Sequence, residues 1–132
     1  MTTKIHMMSA NDRTAVDFLL SEGQAGDAVY GRILMETVGK LKSAIPLVMD
    51  KAFEDDLTRY TAQTLNFSPV VPPKVNRKIP WVYDKILYKR RNEIERLFRL
   101  IDGFRRIFVR FEKLDVMYMS FIKFALIYIA IK

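Results

Sequence analysis

The stretch from Ile79 to Arg106, IPWVYDKILYKRRNEIERLFRLIDGFRR, combines a long helical repeat with three polar residues spaced to share one face. Tyr88, Arg91 and Glu95 follow one another at intervals of three and four residues. At about 100° per residue they fall within roughly 60° of one another on a helix. Ile86, Leu87, Ile94, Leu97, Leu100, Ile101 and Phe104 form a broad apolar arc on the other side. That pattern predicts a helix from about Val82 to Gly103, lying on a core with one flank exposed. The stripe also has a plainer reading. Glu95 sits four residues from both Arg91 and Arg99, and surface ion pairs at that spacing contribute only about 0.2–0.5 kcal/mol.

Upstream of this helix the chain reads as short elements in close succession. Thr2 to Met8 and Ala15 to Leu20 are expected as strands of a hairpin turning at Asn11, Asp12 and Arg13. Asp27 to Val38, ending at Gly39, is expected to be helical. Ala44 to Met49, AIPLVM, is an apolar run that suggests a strand buried on both faces of a helix-covered sheet, with Asp50 at its carboxyl end. Phe53 to Thr64 reads as a helix and Phe67 to Val71 as a strand. Pro72, Pro73 and Pro80 then bracket a basic connection through Lys74, Arg77 and Lys78.

Composition narrows the chemistry. The 132 residues suit one domain, and 50% are hydrophobic, enough to build a core without staples. The absence of cysteine excludes disulfides, thiolate zinc sites and cysteine nucleophiles. His6 is the only histidine, so a metal would be held mainly by carboxylates, which favours Mg2+ or Mn2+. The net charge is +7, and Lys74 to Lys113 holds 13 Lys or Arg against 5 Asp or Glu, a local net of +8. A basic block interleaved with Trp81, Tyr83, Tyr88, Phe98, Phe104, Phe108 and Phe111 suits a polyanion, most simply a nucleic-acid backbone. Its plainer counterpart is a solvated helix face. Asp50 is equally two-sided, as an N-cap for the residues from Lys51 onward or as a cation ligand at a carboxyl strand end.

Six ordered blocks carry a resemblance. They are TTKIH (2–6), FLLSEGQAGD (18–27), VMDKAFEDD (48–56), PVVPPKVNRKIP (69–80), YDKILYKRRNEIERLF (83–98) and FRRIFVRFEK (104–113). In order and spacing they resemble the motifs of DDE-type insertion-sequence transposases, best those of the insertion-sequence-five group. The resemblance implies an α/β, ribonuclease H-like fold, with a mixed sheet flanked by helices and long carboxyl-terminal helices. It further implies metal-dependent DNA cleavage and strand transfer, in which three acidic residues hold two Mg2+ or Mn2+ ions that activate the nucleophile and stabilise the leaving oxygen. Carried over residue by residue, Asp50 matches the second family aspartate and Glu95 the glutamate, as catalytic metal ligands. Tyr88 and Arg91 match the first members of the family's tyrosine, arginine, glutamate, lysine signature and are expected to position DNA phosphate. Lys74, Arg77, Lys78, Arg105 and Arg106 are the further expected DNA contacts.

Two departures accompany the resemblance. The signature lysine falls on Asp102, which reverses the charge, so either that DNA contact is lost or a neighbour such as Arg99 or Arg105 replaces it. The family's first aspartate lies on a strand preceding TTKIH, and Asp12 and Asp17 are poor substitutes for it. Residues 1–132 are therefore expected to form the carboxyl-terminal part of a catalytic domain, a truncated ribonuclease H-like fold whose first, central strand is missing. Its neighbours would lose backbone partners.

The final apolar run, Val116 to Ile131, has 16 residues with Lys123 inside it. It is short of the roughly 20 needed to span a bilayer, so a buried closing helix and no membrane are expected. No signal-peptide pattern precedes it, and the cytoplasm is the default location. Three functions stay open: an inactive transposase remnant, a half completed by an upstream-encoded amino-terminal piece, and a non-catalytic basic DNA-binding protein. A small basic membrane protein is a remote fourth. Expected partners are DNA, that upstream piece and a second copy of the chain.

Overall fold

A computed structural model describes residues 3–108 and 115–131, with side chains for 4–104 and 119–131. Among these, the chain forms β1 (Thr3–Ser9), β2 (Ala15–Glu22), α1 (Asp27–Val38), β3 (Ile45–Val48), α2 (Asp56–Thr64), β4 (Phe67–Val70), α3 (Lys85–Tyr88), α4 (Asn92–Phe108) and α5 (Asp115–Ile131). Short 3-10 turns at Lys51–Phe53 and Lys89–Arg91 precede α2 and α4. The chain divides into two compact units, residues 1–6 with 17–91, and residues 7–16 with 92–132.

The strand pattern is α/β but differs from one mixed sheet. β1 pairs with β2 in a two-stranded sheet, and β3 pairs with β4 in another. The first is the expected hairpin, closed by a hydrogen bond from Ala10 N–H to Thr14 carbonyl at 2.8 Å. The second is parallel, with Ile45 opposite Phe67 and Val48 opposite Val70. Parallel strands need a crossover, and α2 supplies it. α2 also packs on β4 and on α1.

β3 is less buried than its apolar sequence predicts. Ile45 is 49% exposed, and only Met49 just beyond it joins the core. Among the described residues β3 has one neighbouring strand, β4, on one edge. Pro46 stands opposite Ser68, between ladder bonds donated by Ile45 and Met49, so the missing N–H faces the other edge and costs no ladder bond.

Local chemistry fixes the first unit. α1 ends where Gly39 takes φ +85° and donates its N–H to Met35 carbonyl, a conformation that glycine adopts without steric cost. The expected helix from Phe53 is a 3-10 turn followed by α2, because Asp55 caps α2 by accepting from Thr58 N–H at 3.0 Å and Thr58 Oγ1 at 2.7 Å. Arg32 on α1 donates to Asp55 at 3.2 Å and to Thr58 Oγ1 at 2.9 Å, so the two helices meet through a satisfied polar network. Burial pushes the Asp55 carboxyl up, but the Thr58 hydrogen bonds and the Arg32 charge outweigh it and hold it below the usual range. Leu34, Met35, Met49, Ala62, Phe67, Val70 and Val71 form the apolar core beside this network.

The second unit is built on α4 against α5. Leu97 and Ile101 are one turn apart on α4, and Ile122, Ala125 and Ile129 follow the same helical repeat on α5, all buried. Each of the Leu and Ile side chains contributes about 1.5–3 kcal/mol when withdrawn from water. The helix expected over Val116 to Ile131 is present as α5, but it is buried along one face only, with Phe124, Ile127, Tyr128 and Ile131 exposed. No helix among the described residues is long and apolar enough to cross a membrane.

Candidate functional site

Asp50 leaves β3 with extended backbone, and its side chain accepts from Ala52 N–H at 2.8 Å. It therefore caps the Lys51–Phe53 turn, the structural role expected of it. The same carboxylate also acts by its charge on Tyr88. Burial raises the Tyr88 phenol above its ordinary pKa, Arg91 opposes that rise by charge and by a hydrogen bond, and the Asp50 charge adds to it. Asp50, Tyr88 and Arg91 all lie in the first unit.

The segment that delivers Tyr88 is set by its own cap. Asp84 Oδ1 accepts from Ile86 N–H at 3.0 Å and Leu87 N–H at 2.9 Å, which starts α3 at Lys85 rather than at Val82. Tyr83 packs edge-on against Tyr88 with ring centroids 5.7 Å apart. Lys89–Arg91 then winds as a 3-10 turn, where residues advance by about 120° instead of 100°. The continuous helix expected from Val82 to Gly103 is consequently three pieces, and α4 extends to Phe108. No glycine or proline marks the change in winding.

Glu95 lies in the first turn of α4, where a carboxylate complements the helix dipole. It belongs to the second unit, whereas Asp50 belongs to the first. Of the poor substitutes for a further metal ligand, Asp12 faces Arg96 at 3.7 Å, and Asp17 accepts from Phe18 N–H at 2.8 Å. Among the described residues no group of three His, Cys, Asp or Glu side chains is arranged to hold a metal ion. The acids present do not by themselves fit a two-metal centre, and no reaction step is derived through one.

The expected basic contacts behave differently from one another. Arg77 is engaged by Glu54, with Nε 2.8 Å from Oε2, and by Asp56 at 3.0 Å. Lys74 stands at 4.0 Å from Glu54 Oε1. Lys78 is exposed and has no ion pair among the described residues. Arg105 and Arg106 lie on α4 with side chains outside the described ones, and Asp102 is exposed. Two partnerships went unread in the sequence, although Trp81 itself is among the aromatics of the basic block. Glu54 is 5% exposed, and Trp81 carries the Arg59 guanidinium 3.5 Å from its ring centroid. Both partnerships join residues more than twenty apart, so no local spacing announces them.

Comparison with known proteins gives one relative bearing on this arrangement. Over 126 residues, covering 95% of each chain, the sequence is 28% identical to "Putative transposase for insertion sequence element IS6501" of Brucella ovis. No family model matches the chain. No solved structure matches it either.

Proposed function

We propose that this chain is a portion of a DDE-type transposase catalytic domain of the insertion-sequence-five group, with a ribonuclease H-like parentage. The observation that carries the reading is the position of Asp50 just past the carboxyl end of β3, in the same unit as Tyr88 and Arg91. An acid at a carboxyl strand end suits a hard cation, and a guanidinium fork in the same unit suits a phosphate, the two groups that a phosphodiester site needs. The similarity to the Brucella ovis protein over nearly the full length of both chains supports the same direction.

In this reading Asp50 and Glu95 serve as two of the carboxylates for Mg2+ or Mn2+, and the third comes from a separately encoded, upstream piece. The metal would supply activation of the attacking oxygen and stabilisation of the leaving one. Tyr88 and Arg91 orient the DNA phosphate, while Lys74 and Lys78, with Arg105 and Arg106, add backbone contacts. The same upstream piece would bring the central strand, which would join the two small sheets into one. A second copy of the chain is a further proposed partner, and the cytoplasm the proposed location.

The test is complementation. The chain is mixed with an upstream-encoded segment bearing a strand and an aspartate, and magnesium-dependent nicking of transposon-end DNA is measured. Asp50→Ala and Glu95→Ala should each abolish nicking and keep most DNA affinity. Undiminished nicking in both variants would sink the assignment. The second reading, a non-catalytic DNA-binding protein, is favoured by the lack of a three-carboxylate group among the described residues. It predicts salt-dependent binding with no nicking under any complementation.

A further inference from the structure

The chain's only tryptophan, Trp81, forms one wall of an open cleft of about 460 Å³ in the first unit. The indole is anchored by its edge, since Nε1–H donates to Val71 carbonyl at 2.8 Å. Over the ring lies the Arg59 guanidinium, 3.5 Å from the centroid, with Arg77 farther out at 5.0 Å. Asp56 holds Arg59 in turn, at 3.6 Å. A planar cation on an indole, each held by a second contact, is a stacking layer already in position before any ligand arrives.

The rest of the cleft lining mixes apolar Ala44, Phe67 and Pro69 with polar groups, two of which have hydrogen-bonding capacity to spare. Gln63, Asn66 and Ser68 face it, and Val82, 98% exposed, stands at its rim. The Asn66 amide nitrogen is committed to Leu41 carbonyl at 2.6 Å. The Gln63 side-chain amide and the Ser68 hydroxyl have no hydrogen bond among the described residues. A flat surface beside two uncommitted donor and acceptor groups is suited to a flat, edge-polar molecule, and an inorganic anion would leave the stack unused.

We propose that this cleft receives an unpaired nucleobase of bound DNA, stacked on the Arg59 and Trp81 layer, with its edge met by Gln63 and Ser68. The proposal rests on the reading that the chain binds DNA and adds which part of the DNA it grips. A base inside a duplex has both faces covered by its neighbours, so only a single-stranded or extruded base can enter. The cleft therefore favours DNA with an unpaired nucleotide over a blunt duplex of the same sequence.

Because Trp81 is the sole tryptophan, its emission reports the stack directly. The full chain is titrated with a short single-stranded oligonucleotide, with a duplex carrying an unpaired 3′ base, and with the blunt duplex. Trp81 emission is recorded, and binding is followed separately by anisotropy of labelled DNA. The first two ligands should quench Trp81 saturably, and the blunt duplex should bind without quenching. Gln63→Ala, and Arg59→Lys, which keeps the charge and loses the planar fork, should each weaken single-strand binding about tenfold and leave blunt-duplex binding unchanged. Binding by anisotropy with unchanged Trp81 emission, or equal quenching by the blunt duplex, overturns the proposal while sparing the DNA-binding reading. No binding of any DNA overturns both.

Discussion

Arg77 reaches back to Glu54, with Nε 2.8 Å from Oε2 and Nη2 3.1 Å from the Glu54 carbonyl. Glu54 is almost wholly buried, and Lys74 N–H and Nζ approach the same carboxylate. The contact pins the basic segment after β4 to the turn before α2. The Arg77 hydrogen bond is the largest cause holding the Glu54 carboxyl below its ordinary pKa, against the opposing effect of burial.

Glu54→Gln should therefore lose about 1–3 kcal/mol, since it exchanges charge-assisted hydrogen bonds for neutral ones and leaves Arg77 poorly matched. The sign with pH follows from the lowered pKa. The contribution is complete above the unfolded value of about 4.5 and disappears as pH falls through the folded value. Urea midpoints measured at pH 7 and at pH 3 should differ more for the parent chain than for the variant. Equal pH dependence would remove Glu54 as its source.

A second expectation concerns Gly31 on α1. A Cβ there would meet the Phe53 ring at 2.6 Å, so glycine is required by close approach and not by backbone angle. Gly31→Ala would ordinarily gain about 1 kcal/mol of helix propensity. Here overpacking, which typically costs 1–3 kcal/mol, should win and make the variant less stable. Phe53→Leu added to it should recover part of the loss in thermal melts. A simple sum of the two single effects would argue that the residues do not meet.

The sequence made some of this legible. α1 could be bounded to the residue because Asp27 and Gly39 carry start and stop signals, and the hairpin was visible in its alternation and polar turn. The division of 53–64 was hidden because Glu54, Asp55 and Asp56 are consecutive acids, and only the fold decides that Asp55 caps while Glu54 is buried. At the candidate site, Tyr88 and Arg91 were singled out by helical spacing and do interact, but partly through a 3-10 turn that an ideal-helix projection does not anticipate. Arg77 looked like a free cation because its acidic partners lie more than twenty residues earlier.

His6 offers a spectroscopic check on the first unit. Its ring stacks on Tyr30 with centroids 4.6 Å apart, and Nε2 lies 2.6 Å from Ser21 Oγ. Burial lowers its pKa below 6.5, Asp27 pulling the other way and Lys4 adding to the fall. A depressed value means that stability is fully present above pH 6.5 and declines as pH drops through the folded pKa. As the only histidine, its Cε1 proton gives one resolvable NMR titration, expected to have its midpoint below 6.5. A midpoint at or above that value would contradict the burial of the ring.

The last expectation separates two neighbouring cations that look alike in sequence. Lys78 is exposed and without an ion pair among the described residues, whereas Arg77 spends its guanidinium on Glu54 and Asp56. If DNA phosphates are contacted by this segment, Lys78→Ala should reduce the slope of log affinity against log salt by about 0.9, the release expected for one phosphate contact. Its melting temperature should hardly move, since isolated surface charges carry little stability. Arg77→Ala should do the reverse, lowering stability by about 1–3 kcal/mol because Glu54 is left buried without its partner, with a smaller change in salt slope. Measuring both variants by DNA titration at several salt concentrations and by urea unfolding distinguishes a cation that meets the ligand from one that holds the fold. A salt slope lowered by Arg77→Ala and untouched by Lys78→Ala would reverse the assignment of the two.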